Sequence, residues 1–174
     1  MTKKGNLVLS REISEQDNAE PRLRFLSEFM RVTGDCAADI ARATGVTRGG
    51  VSHWFSCDDC RLSYCEQYIS QKGYDLVIEL KKPSLVSESG NVRISIERRT
   101  AEPDGTECRR LLFLLDAMAR YGVTKAQIAE ALQIKYNTVR HWFVVDDIYI
   151  SHIFNIAHLF GLQVHIDIRP SDSE

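Results

Sequence analysis

His53-Trp54-Phe55 recurs 88 residues later as His141-Trp142-Phe143. At that shift the chain matches itself without a gap from Arg22/Arg110 to Leu80/Ile168, and 19 of the 59 pairs are identical. Unrelated sequences of ordinary composition would agree at roughly one position in sixteen, about four pairs. The duplication constrains the fold, because whatever one copy builds the other must build too. A residue kept in both copies serves the shared fold or its use. One found in a single copy needs its own reason.

A chain of 174 residues divided in two gives units near the lower limit for an independent core. The boundaries fall at residues 1–82 for the first repeat and 91–174 for the second, with 83–90 as a linker or the loop of a long hairpin. With 44% hydrophobic and 26% charged residues, the composition is that of a soluble globular protein. No apolar run approaches the roughly 20 residues that span a bilayer, and the first residues lack a secretory apolar core. Five cysteines, an odd number concentrated in one copy, suit a reducing cytoplasm better than a disulfide framework. A net charge of −2 counts against a protein that binds nucleic acid through bulk charge.

Each copy repeats one order of signals. Period-two alternation predicts strands at 6–12, 74–81, 91–98 and 162–169, which together would make one small antiparallel sheet. Helices are predicted from Pro21 to Arg31 and from Glu107 to Tyr121, where Leu111, Leu112, Leu115 and Met118 form an apolar face. Gly34 and Gly122 end these helices. Thr124 offers an N-cap oxygen to the next helix, and Asp35 is its expected counterpart in the first copy. Final helices run from about Ser63 to Lys72 and Ser151 to Phe160, each opening on a serine cap and closing on a glycine, Gly73 or Gly161. The expected class is α+β, mainly α.

Between these elements lie Ala37 to Phe55 (AADIARATGVTRGGVSHWF) and Lys125 to Phe143 (KAQIAEALQIKYNTVRHWF). Both fit two short helices joined by a tight turn. Ile40/Ile128, Val51/Val139 and Trp54/Trp142 supply the facing apolar positions, and Ala41/Ala129 is small where the helices cross. Gly45 sits at the turn, where a positive φ is commonly needed. The two stretches resemble the lambda-repressor-like (Cro/Xre-type) helix-turn-helix family, over about residues 22–74 and 110–162. The likeness extends into the following helix and its glycine. Two departures stand out: Gln133 replaces the turn glycine in the second copy, and Trp54/Trp142 with Phe55/Phe143 are bulkier than many family members carry there.

The resemblance implies two tandem helix-turn-helix units, each laying the first turn of its second helix in the major groove of double-stranded DNA. The reading residues it implies are Thr47, Arg48, Gly49, Gly50 and His53, and then Lys135, Tyr136, Asn137, Thr138 and His141, with Arg140 alongside. Lys125 is placed for a phosphate. Arg48 suits guanine and Asn137 suits adenine, each by a bidentate contact. The reading turns differ (Arg-Gly-Gly against Tyr-Asn-Thr) inside a preserved apolar frame, as expected of two heads for two half-sites. Gly49-Gly50 costs about 1 kcal/mol of helix propensity per glycine. Either the backbone approaches DNA there, or the first copy is a degenerate reader. The implied protein is a small bacterial or phage-type transcriptional regulator, a dimer made from one chain, with further homodimerisation open. The rival reading is a protein-interaction module that kept the frame and lost DNA binding.

Other features have plainer explanations beside sharper ones. The repeated tryptophans read as core rather than base-stacking platforms. His53/His141 either touches DNA or caps a helix end. Cys57, Cys60 and Cys65 invite a metal, but Val145, Ile148 and Ile153 hold the matching positions, so apolar burial is simpler. Asp58-Asp59/Asp146-Asp147 would repel phosphate, and reads as a helix cap or as a contact between the copies. No nucleophile recurs at a fixed spacing from the histidines, so neither catalysis nor a small-molecule substrate is expected. No cofactor or metal, and no membrane partner, is expected either.

Overall fold

A computed structural model describes residues 9–12, 21–83 and 110–171. It contains a strand β1 (Leu9–Glu12), four helices α1 (Arg24–Thr33), α2 (Ala37–Thr44), α3 (Arg48–Cys57) and α4 (Leu62–Gln71), and a strand β2 (Tyr74–Lys81). The second copy follows with α5 (Leu112–Tyr121), α6 (Lys125–Ala131), α7 (Tyr136–Val145), α8 (Ile150–Leu159) and β3 (Gln163–Pro170). The protein is therefore mainly helical, with a small antiparallel sheet in the order β1-β3-β2. The expected strand at 91–98, residues 6–8 of the first strand and the start of the 107–121 helix lie outside the described residues. Among those residues no helix is long and apolar enough to cross a membrane.

The copies are joined about a pseudo-two-fold axis. In the β2–β3 ladder Ile78 lies opposite Ile166, its own equivalent 88 residues on. A second antiparallel bridge sets Arg61 opposite Tyr149, again equivalent positions. Leu62 N–H donates to the Ile148 carbonyl at 2.8 Å and Ile150 N–H donates to the Cys60 carbonyl at 2.9 Å. Reciprocal bonds of this kind are those of an isologous two-fold contact. Two separate pairs of equivalents straddle the axis, so seam and sheet share one symmetry.

The repeated aspartates explain the seam. Asp59 accepts from Ser151 N–H (2.9 Å) and Ser151 Oγ–H (2.7 Å). Asp147 accepts from Ser63 N–H (3.0 Å) and Ser63 Oγ–H (2.8 Å). Each copy thus caps the final helix of the other, where unpaired N–H groups and the helix dipole favour a carboxylate. The serines do not cap their own helices, as their position had suggested. Arg61 and Tyr149 occupy the N-caps, and the serines, two residues further in, act as donors.

Asp58 and Asp146 cap within their own copies. Asp58 accepts from the N–H groups of Arg22 (2.7 Å) and Leu23 (2.9 Å), and Asp146 from those of Arg110 (2.8 Å) and Leu111 (3.0 Å). The chain turns before α1 begins, so that helix starts at Arg24 rather than at Pro21. Two ion pairs, Arg110 with Glu66 and Arg61 with Asp147, add ties between the copies.

The core is continuous across both copies, with Phe29, Ile40, Val51 and Tyr68 in one and Leu114, Ile128, Val139 and Ile153 in the other. The copies differ at one polar cluster. Asp35 is not the cap of α2, because Cys36 holds that position and its N–H donates to Asp39 at 2.9 Å. Asp35 instead accepts from Thr33 (2.8 Å), Tyr68 (2.7 Å) and Lys72 (2.9 Å). Burial pushes its carboxyl up, but the bonds from Lys72, Tyr68 and Thr33 outweigh that and hold it below its ordinary value. The second copy has Val123, Ile156 and Phe160 at the positions of Asp35, Tyr68 and Lys72, an apolar solution to the same packing.

Candidate nucleic-acid interface

Each candidate reading helix is the second of two helices joined by a tight turn. Gly45 carries the first turn with φ 73°. Gln133 adopts the same left-handed conformation, φ 55°, without the glycine. The second turn is thus alike in shape, and α6 stops one residue earlier than α2. Left-handed backbone in a residue with a Cβ costs about 1–2 kcal/mol.

Val51 and Trp54 anchor α3, and Val139, Trp142 and Phe143 anchor α7, all buried. Trp54 stacks on Tyr64 with ring centroids 5.0 Å apart, and Trp142 packs on His152 at 4.8 Å. The tryptophans are core residues, unavailable to bases. Phe143 is 1% exposed, whereas Phe55 is half-buried. Lys125 accounts for part of this difference: its ammonium lies 4.4 Å from the centre of the Phe143 ring, where the first copy has Ala37.

With one face anchored, the opposite face is turned to solvent. Thr47, Arg48, Gly49 and His53 are exposed, as are Lys135, Tyr136, Asn137, Thr138, Arg140 and His141. Lys125 and Gly50 are half-buried. Thr47 is the N-cap of α3, its hydroxyl accepting from Gly50 N–H at 3.1 Å. A Cβ at Gly50 would meet Val46 Cγ1 at 2.7 Å and Thr47 Oγ1 at 3.3 Å, while one at Gly49 would meet open space. Internal packing accounts for the second glycine and leaves the first without an internal reason. Neither His53 nor His141 serves as a helix cap. Asp58 and Asp146 hold the C-caps, each with positive φ.

The charge of these faces differs from that of the chain. Neither α3 nor α7 contains an acidic residue, and Arg48, Lys135 and Arg140 stand exposed on them or at their start. The four aspartates that follow the helices point into caps.

The cysteines divide. Cys60 and Cys65 are buried with sulfurs 3.3 Å apart, at the positions of Ile148 and Ile153. The bond from Cys65 and burial push the Cys60 thiol up. Cys57 is exposed and bonds to the Trp54 and Asp59 carbonyls. Among the described residues no three potential ligands gather around one point.

Sequence reasoning missed a groove of about 130 Å³ between α7 and the seam, lined by Thr138, His141, Trp142, Val145, Arg61 and Tyr149 among others. It joins residues of both copies, 77 positions apart at Arg61 and Thr138, so no local pattern marks it. Against Trp142, which lines it, packs His152, whose Nδ1 is buried with no hydrogen-bond partner among the described residues. Burial lowers the His152 pKa, and Asp59 partly opposes that.

No protein-family model, no curated protein and no solved structure matches the chain.

Proposed function

We propose that the protein is a sequence-specific binder of double-stranded DNA and a regulator of transcription, built from two lambda-repressor-like helix-turn-helix units that act as a dimer within one chain. The observation that carries this reading is the pair of equivalent turns that open α3 and α7. Both expose a polar first turn free of acids, although the chain as a whole is acidic, and both are related by the axis through Arg61/Tyr149 and Ile78/Ile166. A two-fold axis keeps equivalent groups at equal height along it. Both turns can then meet one duplex lying across the axis, in successive major grooves about 34 Å apart. The different reading turns imply unlike half-sites, and Arg48 and Asn137 are the side chains best suited to base edges.

Selection of bound duplexes from a random pool tests the proposal. Enrichment of a two-part site is expected, with Arg48→Ala and Asn137→Ala each relaxing one part. No enriched sequence, or residual binding indifferent to both changes, would overturn it.

A second reading has its own support. Tyr136, Val144, Val145 and Tyr149 leave 49%, 65%, 42% and 43% of their surface exposed, where the first copy carries Arg48, Ser56, Cys57 and Arg61. A protein partner would use such exposed apolar groups. Weak salt dependence of binding would favour that reading, since DNA affinity falls steeply with salt.

A further inference from the structure

We propose, resting on the DNA-binding reading, that Arg61 is a further specificity residue that contacts the minor groove at the centre of the site and makes that contact one-sided. Arg61 belongs to the first copy, yet it lies in the groove beside Thr138 and His141 of the second copy's reading helix. It also stands on the pseudo-two-fold axis, opposite Tyr149. When two helices enter major grooves one turn apart on one face of B-DNA, the groove facing the protein midway between them is the minor groove. A residue on the axis is therefore placed at that point.

The guanidinium already engages Tyr149 and Asp147, yet half of the side chain faces solvent and is open to such a contact. Its side chain is 49% exposed, resting 5.4 Å from the centre of the Tyr149 ring. Its nearest carboxylate, Asp147 at 3.5 Å, is already occupied by Ser63 and by the Ile148 N–H. A narrow, A·T-rich minor groove has enhanced negative potential and attracts arginine. The position opposite carries Tyr149 instead of a second arginine, so the two halves of the central steps meet different groups. That asymmetry gives the protein a direction on a nearly symmetric site, in addition to the direction given by the unlike reading turns.

The test uses the intact chain and the duplex enriched by selection, with the central base pairs changed to A·T, G·C or inosine·C. Inosine·C presents a minor groove like that of A·T, because it lacks the guanine amine, and a major groove like that of G·C. Wild-type protein is expected to bind A·T and inosine·C centres alike, and G·C centres about tenfold more weakly. Arg61→Gln should erase this preference and leave preferences in the outer parts unchanged. Arg61→Lys retains the charge and one N-cap geometry, so it serves if the glutamine variant does not fold, and should reduce the central preference. A central preference that survives in the folded variant, or a wild type indifferent to the centre, would overturn the assignment. If the wild type selects no site at all, it is the parent reading that fails.

Discussion

His152 couples the stability of the fold to pH. Its counterpart Tyr64 stacks on Trp54 where His152 packs tilted on Trp142, and the imidazole buries Nδ1 with no partner among the described residues. Its pKa is lowered from 6.5, so the unfolded chain binds the proton more readily than the folded one. Stability then falls as pH drops through the unfolded value, until the folded pKa is passed. His152→Tyr should flatten this part of the decline in a series of melting curves between about pH 7.5 and 5. An unchanged decline would place the sensitivity elsewhere. Three backbone positions give sharper tests. Gln133→Gly should stabilise by about 1 kcal/mol in urea unfolding by relieving left-handed strain. Gly49→Ala should stabilise by about 0.5–1 kcal/mol, and Gly50→Ala should destabilise because Val46 blocks it. If Gly49→Ala also weakens DNA binding, close backbone approach is the reason for that glycine. The sequence marks these residues as unlike their counterparts. It does not say what each one touches, because Val46 and Trp142 meet them only after the helices fold together.

At the scale of elements, the kept pairs Asp58/Asp146, Asp59/Asp147 and Ser63/Ser151 turn out to be the joints between helices. Their repetition was visible, and both readings of the aspartates were open in the sequence: Asp58 and Asp146 each cap a helix of their own copy, and Asp59 and Asp147 a helix of the opposite copy. Their partners were not legible, since Asp59 and Ser151 lie 92 residues apart. That separation also explains why Ser63 and Ser151 looked like caps for their own helices. Asp59→Ala should cost about 1–2 kcal/mol of stability, and a double-mutant cycle with Ser151→Ala should show coupling between them. Strictly additive losses would contradict the exchanged cap. The paired helices around Gly45 and Gln133 were the most legible elements, because their apolar positions recur at fixed spacing in both copies. The strand ladder was legible as strands but not as a pairing: alternation gives faces, while the partner of Ile78 is set by the symmetry of the whole.

At the scale of the whole molecule, the proposed function requires one chain to hold two unlike reading heads rigidly about a single axis. The seam pair Arg61/Tyr149 and the ladder pair Ile78/Ile166 each set equivalent residues of the two copies opposite one another, so the relative position of α3 and α7 is built into the fold. Lengthening the selected DNA site at its centre tests that most directly. Inserting half a helical turn of DNA between the two parts should reduce affinity to that of one part alone, because the second head then faces the wrong side of the duplex. Affinity that is indifferent to the insertion would contradict a rigid pair of heads on one duplex.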